Sequence, residues 1–428
     1  MHRIAIVSEH ASPIAQAGGV DSGGQNIYVA NVARQLAALG HRVDVFTRLD
    51  NPYLPEEMDW DPGVRIVHVP AGPARTMPKE DLLAHMGDFG AWMANYVATR
   101  DEPYSLIHAN FFMSAMASLP VARRAAIPLA VTFHALGRVR RQHQAQADRF
   151  PDARFRIEDD IVRHADRIIA ECPQDRLDLI ELYGADAERI DMVPCGYDHN
   201  EMRPQDQAGL RAELGWEADT FYLLQLGRMV PRKGIDNVIS ALSRLRKRYG
   251  VNARLCVVGG EAADSPTGDT PELARLKAVA QAEGVRDYVD FAGRKGRRLL
   301  SRYYGAADVF VTTPWYEPFG ITPVEAMACA RPVIGSDTGG IRYTVVDGDT
   351  GFLVPPKDPD ALAARLALLA GNPALGKRMG AAGARRAKRL FTWEKVGSDL
   401  AQVFDELVHG TVTSAARPAW RAAQRLSA

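Results

Sequence analysis

Short β-branched runs alternating with Leu-rich and Ala-rich stretches constrain this chain more than any other feature. Such alternation predicts parallel strands with crossover helices, because no tight turn can close a parallel pair. In the first half the runs fall at 3–8, 42–47, 64–69, 105–109, 128–133, 167–171 and 189–193. Val29, Val32, Leu36 and Leu39 share one helical face between the first two, and Gly40 ends that helix. The pattern then starts again, with strands expected at 221–226, 254–258, 289–292, 309–313, 332–335 and 352–354. Helices are expected near 234–248, 272–283, 323–329, 360–370 and 375–389. Two α/β units in series predict two Rossmann-like domains, and 428 residues exceed one ordinary core. Gly196, Pro204 and polar neighbours interrupt the pattern and put the linker near 196–216. The expected domains are therefore 1–200 and 201–392. A helix at about 393–408 occupies the next segment, 393–410, and the tail 411–428 has no strong pattern.

Charge and cysteine usage exclude several classes. Lysine plus arginine and aspartate plus glutamate are 52 each, which argues against a general nucleic-acid binder. Cys172, Cys195, Cys256 and Cys329 are far apart and mostly follow apolar runs. They read as reduced core thiols rather than a disulfide framework or a zinc site. Arg3-Ile-Ala-Ile-Val-Ser reads as a strand, not a signal peptide, and no apolar run approaches a membrane span. A cytoplasmic enzyme acting on small molecules is the simplest class, with a homo-oligomer left open.

The chemistry-bearing residues cluster where strands are expected to end. The run Val309-Phe-Val-Thr-Thr leads into a turn at Pro318-Phe319-Gly320 and a helix near Pro323. Proline suits a first helical turn, where its missing N–H has no partner to lose. Glu317 and Glu325 flank this turn with seven residues between them. Its N–H groups and helix N-terminus suit an electron-rich ligand. An ordinary loop with surface glutamates is the alternative. The run 221–226 ends in Gly227-Arg-Met-Val-Pro-Arg-Lys-Gly, so Arg228 and Lys233 leave a strand end and a helix start together. Such a pair can neutralise a leaving diphosphate, against the alternative of a basic surface loop.

In the first half, strand 3–8 is followed by Gly18-Gly-Val-Asp-Ser-Gly-Gly-Gln-Asn-Ile-Tyr, with a helix starting at about Gly24. Glycines let a backbone pass close to a phosphate or sugar. The spacing is neither the dinucleotide fingerprint nor a Walker loop. Strand 128–133 delivers His134 at its C-terminal end, where open α/β sheets place ligand groups. A histidine there can bond a sugar hydroxyl or move a proton; a core histidine bonded to backbone is the alternative. Arg138, Arg140, Arg141, His143, Arg149, Arg154 and Arg156 form a basic run after Gly137. It reads equally as a solvated helix face or as a site for an anionic acceptor. Asp347-Gly-Asp349 is a turn signal, not a metal motif, and Glu158-Asp-Asp160 lacks the further ligands of a metal cage.

The stretch 313–328 resembles the E-x7-E motif of retaining glycosyltransferases of the GT-B fold, family 4, and 227–234 resembles that family's G-R-x-x-x-x-K-G element. The resemblance covers nearly the whole chain. It implies an α/β protein of two Rossmann-like domains facing a central cleft, with the last helix returning to the first domain. It implies that Glu317 lies beside the donor sugar, that Phe319, Gly320 and Ile321 offer it their amides, and that Glu325 binds the ribose. Arg228 and Lys233 would bind the donor phosphates. Phe291-Ala-Gly-Arg-Lys looks like the loop bordering the base, which gives Arg294 a mostly backbone role.

Asp21-Ser-Gly-Gly-Gln-Asn-Ile-Tyr is similar to the donor-phosphate loop of sucrose-phosphate synthases and D-inositol-3-phosphate glycosyltransferases. That likeness brings Gly23 and Gly24 near the diphosphate and the acceptor. Thr132-Phe-His-Ala-Leu-Gly is similar to the family's T-x-H-S/T-L-G stretch, whose histidine faces the donor sugar. Ala135 stands where those relatives carry a hydroxyl that helps hold an acceptor phosphate, so the chain departs from them there. Lys79, Asn110 and, by a looser match, Arg156 fall at acceptor-side positions. The implied reaction is retaining transfer of a hexosyl group from a nucleotide-diphosphate sugar, with UDP favoured, to a hydroxyl acceptor such as a sugar phosphate or cyclitol phosphate. No metal or cofactor is required for it. The alternatives are an epimerase or phosphorylase of the same fold, or a non-catalytic sugar-nucleotide-binding protein.

Overall fold

The computed structural model describes residues 1–14, 23–144, 148–260 and 270–410. The first half runs β1 (Arg3–Val7), α1 (Gly24–Ala38), β2 (Arg42–Arg48), β3 (Glu57–Asp61), β4 (Val64–Val69), α2 (Met86–Ala98), β5 (Leu106–Asn110), α3 (Phe112–Ala125) and β6 (Leu129–Thr132). It continues with α4 (Gly137–Gln144), α5 (Ala153–His164), β7 (Arg167–Ala170), α6 (Pro173–Tyr183) and β8 (Ile190–Met192). These strands form one eight-stranded sheet in the order β3-β4-β2-β1-β5-β6-β7-β8. Every pairing is parallel except β3 with β4. The strand β3 lies outside the expected set. Its sequence, Glu-Met-Asp-Trp-Asp, is acidic and has no β-branched residue, so its strand character comes from pairing with β4 at the sheet edge.

The second half runs α7 (Gln207–Leu214), β9 (Phe221–Leu226), α8 (Ile235–Tyr249), β10 (Ala253–Val258), α9 (Pro271–Ala282), β11 (Val289–Gly293), α10 (Arg297–Ala306) and β12 (Val309–Thr312). It ends with α11 (Ile321–Ala328), β13 (Val333–Ser336), α12 (Ile341–Thr344), β14 (Gly351–Val354), α13 (Pro359–Ala370), α14 (Pro373–Leu390) and α15 (Trp393–His409). Its six-stranded sheet, β11-β10-β9-β12-β13-β14, is wholly parallel. Two Rossmann-like sheets in one chain, with helices packed on them, are the GT-B arrangement.

Part of the expected linker is helical. In α7 the Asp206 carboxylate accepts bonds from the Ala208 and Gly209 amides, and Gly215 closes the helix at φ +67°. Arg211 of α7 donates to the Ala306 carbonyl and to Asp308, which ties this helix to the second sheet. Helix α10 also escaped the sequence reading, because its polar face is basic and Gly305 weakens the helical signal.

The chain crosses back through α15. The Thr392 side chain caps that helix by accepting from the Lys395 amide. Its apolar stripe, Trp393, Val396, Leu400 and Phe404, is buried. Gly397 lies against Gln35 of α1, so close that a Cβ would approach the Gln35 Cβ to 2.4 Å. The Trp393 ring meets Tyr28 of α1 edge-on at 6.1 Å. Each large apolar side chain buried in this way contributes about 1.5–3 kcal/mol. Breaking this seam would expose the α1 side of the first sheet.

Strand order reverses beside β1 and β5 in the first sheet and beside β9 and β12 in the second. In open α/β sheets a crevice forms outside the strand carboxyl ends at such a reversal. Those ends carry Asn110 as the last residue of β5, His134 after β6, the 227–234 loop after β9 and the 313–320 loop after β12.

Candidate active site

The second domain supplies two loops locked together by close backbone approach. Gly234 adopts φ +65°, and a Cβ there would lie 2.0 Å from the Thr313 carbonyl oxygen, so only glycine fits. The Thr313 hydroxyl donates to the Gly234 carbonyl at 3.0 Å, and the Trp315 amide to the Arg232 carbonyl at 2.9 Å. These bonds bring Lys233 onto Glu317, whose carboxylate accepts from the ammonium. Arg232 stands 3.8 Å from the same carboxylate. Burial alone would push the Glu317 carboxyl up, but Lys233, Arg232 and Arg228 hold it below its ordinary value. Burial pulls the Lys233 ammonium below its ordinary value against the opposing pull of Glu317. A desolvated ammonium leaning on one carboxylate can exchange that partner for a phosphate oxygen.

The Pro318-Phe319-Gly320 turn is held from below. The Gly340 amide donates to the Glu317 carbonyl, and a Cβ on Gly340 would lie 2.4 Å from Phe319 Cα. Phe319 is buried against Phe391, and Gly320 takes φ +89° to begin α11. The helix starts at Ile321, so Pro323 falls in its first turn. Glu325 is not a surface glutamate. It is buried, accepts from Arg297 at 3.0 Å and accepts from the Tyr304 hydroxyl at 3.0 Å. Arg297 and Tyr304 escaped the sequence reading because they sit on α10. Arg294, exposed in the loop after β11, precedes Arg297 by three residues.

From the first domain, Gly23 and Gly24 open α1, where the Asn26 side chain accepts from the Gly23 amide. The preceding Gly18–Ser22 part of the glycine loop lies outside the described residues, as does the tail 411–428. Gly24 faces the other domain: a Cβ on it would sit 3.5 Å from the Ile321 side chain. The Cys172 thiol donates to the Pro318 carbonyl at 3.3 Å, and the Tyr316 ring stacks on His143 at 4.9 Å. The two lobes therefore meet around the Pro318 turn. Lobe contacts of this kind exclude water from an enclosed reaction.

His134 lies against Tyr28 of α1, ring centroids 4.7 Å apart. Its Nδ1 lies 2.9 Å from a Glu171 oxygen and its Nε2 3.0 Å from the Asn110 carboxamide oxygen. Both ring nitrogens are therefore held by protein oxygens, which fixes the plane of the imidazole. Asn110 is fully buried, with its carboxamide oxygen turned to the His134 ring.

Four arginines of the basic run are paired with carboxylates of their own domain. Arg138 bonds Asp159 at 2.9 Å, Arg140 lies 2.8 Å from Asp148, and Arg141 lies 2.9 Å from Asp152. Arg154 is fully buried, bonds Glu158 at 2.7 Å and is walled by Phe111, Phe112 and Phe150. Arg156, the sequence candidate, is exposed on α5, and Lys79 opens a 3-10 turn over Lys79–His85. Asp347-Gly-Asp349 is an exposed turn in which Asp347 accepts from the Leu353 amide. Among the described residues, the trio with metal-ligand geometry is His2, Asp405 and His409, at the opposite end of β1 from the cleft.

Two Rossmann-like sheets, a cationic loop gathered on Glu317, a glycine-opened helix that meets the second domain at Ile321, and a buried Glu325 define a GT-B glycosyltransferase. Family models agree in both halves: "Glycosyl transferase 4-like domain" matches residues 23–196 and "Glycosyl transferases group 1" matches 206–386. The chain belongs to glycosyltransferase family 4. It is 36% identical over 411 residues to a D-inositol 3-phosphate glycosyltransferase of Xylanimonas cellulosilytica, covering 94% of this chain and 96% of the relative. The counterpart from Streptomyces bingchenggensis is also 36% identical, over 425 residues, covering 95% and 90%. Sucrose-phosphate synthase from Thermosynechococcus elongatus superposes with a TM-score of 0.87 at 33% identity, covering 96% of this chain and all of that one. Anabaena HepE, solved in complex with UDP-glucose, shares the fold at a TM-score of 0.73 and 20% identity, covering 95% of this chain and all of that one. No helix among the described residues is long and apolar enough to cross a membrane.

Proposed function

We propose that this glycosyltransferase moves a hexosyl group, with retention of configuration, from a UDP-sugar to a hydroxyl of a small acceptor, and that it works in the cytoplasm. The observation that carries this reading is the meeting of Lys233, Arg232 and Arg228 on Glu317, between the strand ends of the second domain. Departure of the nucleotide leaves negative charge on the diphosphate and positive charge on the sugar ring. Lys233 and Arg228 answer the first, assisted by the N-termini of α1 and α11, which meet where Gly24 approaches Ile321. The carboxylate of Glu317, the side chain of His134 and the amides of Phe319, Gly320 and Ile321 would orient the sugar, and Glu325 would reach the ribose. Arg294 would border the base through its backbone. Because side-chain cations take the leaving charge, the proposal assigns no role to a metal or cofactor. Glu317 is committed to Lys233, which fits delivery of the acceptor to the departing face better than a covalent glycosyl carboxylate. Lys79, Ala135 and Arg156 stand on the acceptor side. The similarity to relatives named for D-inositol 3-phosphate and sucrose phosphate favours a polyhydroxylated acceptor.

The test is Lys233→Ala assayed for nucleotide release and hexosyl transfer across a panel of UDP-sugars. Loss of a single charge-stabilising donor in a desolvated site lowers turnover by about 100- to 1,000-fold. Turnover at the wild-type level would refute the clamp.

A further inference from the structure

His134 has an unusual backbone. Its φ is +57°, in the left-handed region that non-glycine residues avoid. The Ala135 amide donates to the Phe133 carbonyl at 2.7 Å, which closes a three-residue turn with His134 at its apex. A three-residue turn with a positive φ at its centre is the rare and strained form. Such a conformation persists only where the surroundings over-determine it. Two candidates for that restraint are visible, one on each side of the imidazole: Asn110 from the end of β5 and Glu171 from the residue after β7.

Glu171 is the more telling of the two. It is 3% exposed, a carboxylate buried beneath the cleft where no solvent can satisfy it. Its Oε1 accepts from His134 Nδ1 at 2.9 Å and from the Cys195 thiol at 2.9 Å. Its own amide donates to Asp175 at 3.0 Å, which fixes the strand end that carries it. Tyr28 of α1 completes the enclosure, with its ring edge-on to His134 at 4.7 Å. Although burial opposes it, His134 and Cys195 hold the Glu171 carboxyl below its ordinary value, so the ionised form is the one present. A carboxylate only accepts, so Nδ1 of His134 carries a proton and donates it.

We propose that Glu171 is a positioning residue: by gripping Nδ1 it holds His134 at the apex of the strained turn, in the orientation the transfer reaction uses. Glu171 touches no reacting atom in this account and acts through His134. The proposal rests on the glycosyl-transfer reading of the cleft. The strain in the turn is offset by the ring bonds and by the Tyr28 contact. Losing the carboxylate would let the turn relax and move His134 relative to the Gly24–Ile321 junction.

The experiment compares Glu171→Ala and Glu171→Gln with the wild type in the full chain. Glutamine keeps an oxygen that can accept from Nδ1–H, whereas alanine keeps none. A misplaced active-site group costs up to about 100-fold in rate, so Glu171→Ala is expected to lose kcat on that scale while KM for the donor stays at its wild-type value. Glu171→Gln is expected to recover most of the loss. In protein carrying 15N-labelled histidine, the His134 ring N–H should give a slowly exchanging downfield resonance, assigned by its disappearance in His134→Ala. It should vanish in Glu171→Ala and persist in Glu171→Gln. A wild-type kcat in Glu171→Ala, a glutamine variant as slow as the alanine one, or the absence of that resonance from the wild type would each overturn the proposal. UDP binding by titration calorimetry reports on the cleft separately. If UDP fails to bind the wild type, the transfer reading falls, while the resonance still reports on the Glu171 grip.

Discussion

Two basic segments face the cleft, one from each domain, and they are built on opposite charge plans. In the first domain, Arg138, Arg140, Arg141 and Arg154 each find a carboxylate within their own domain. In the second, Arg228, Arg232 and Lys233 converge on Glu317. Along the sequence the first segment is the denser in arginine. In space those four arginines are each matched by a carboxylate, whereas three cations of the second segment share Glu317. Local density of like charges therefore says little about anion binding until the opposing carboxylates are placed. Under the proposed function the first segment is scaffold and the second is poised for exchange.

The sharpest way to break this contrast is at Glu158. It is fully buried, bonds Arg154 and accepts from the Gly137 amide at 3.0 and 3.1 Å. Glu158→Ala leaves a guanidinium buried without its partner, which costs about 3–5 kcal/mol. Urea unfolding should show that loss, a large part of a typical domain's stability. A Glu158→Ala protein as stable as the wild type, with a new affinity for phosphorylated acceptors, would move Arg154 from scaffold to ligand site.

A second effect is graded by pH. Asp175 is buried beside Glu171, and burial followed by the Glu171 charge pushes its carboxyl up to about 8 from 3.8. A raised folded value means that the folded state holds the proton more tightly than the unfolded chain. The stability contribution is therefore complete below the unfolded value near 3.8 and is lost as pH rises toward 8. Asp175→Asn keeps an oxygen for the Glu171 amide and removes the ionisation. Its Tm relative to wild type should rise steadily between pH 5 and pH 8. A difference independent of pH would show that Asp175 is already ionised across that window.

The smallest effect is expected at Arg138, a half-exposed partner of Asp159. Exposed pairs contribute about 0–1 kcal/mol, so Arg138→Ala should change Tm slightly and leave acceptor KM at its wild-type value. A clear rise in KM for an anionic acceptor would return the first segment to the binding machinery.

How much of this was legible follows from where each signal resides. The parallel strands announced themselves because buried strands read as unbroken apolar runs, as in Ile4-Ala5-Ile6-Val7. The edge strand β3 did not, since its strand state depends on β4 and not on its own residues. The loops 227–234 and 313–320 were legible because their chemistry is contiguous. Their supports were not, because they come from elsewhere in the chain: Arg297 and Tyr304 hold Glu325 from α10, and Gly340 holds the Glu317 carbonyl. Glu171 could have been found, since it follows β7 as His134 follows β6, and the same strand-end argument applies to both.

One feature of the connection between the halves bears on how the cleft opens. The chain passes between lobes twice, at Tyr197 and at Thr392, and these crossings lie side by side in a parallel bridge. The Tyr197 amide donates to the Phe391 carbonyl at 2.8 Å, and Gly196 nests against Trp393. With both crossings at one place, a swing of the lobes about them would part Gly24 from Ile321 and bring the two back together on return.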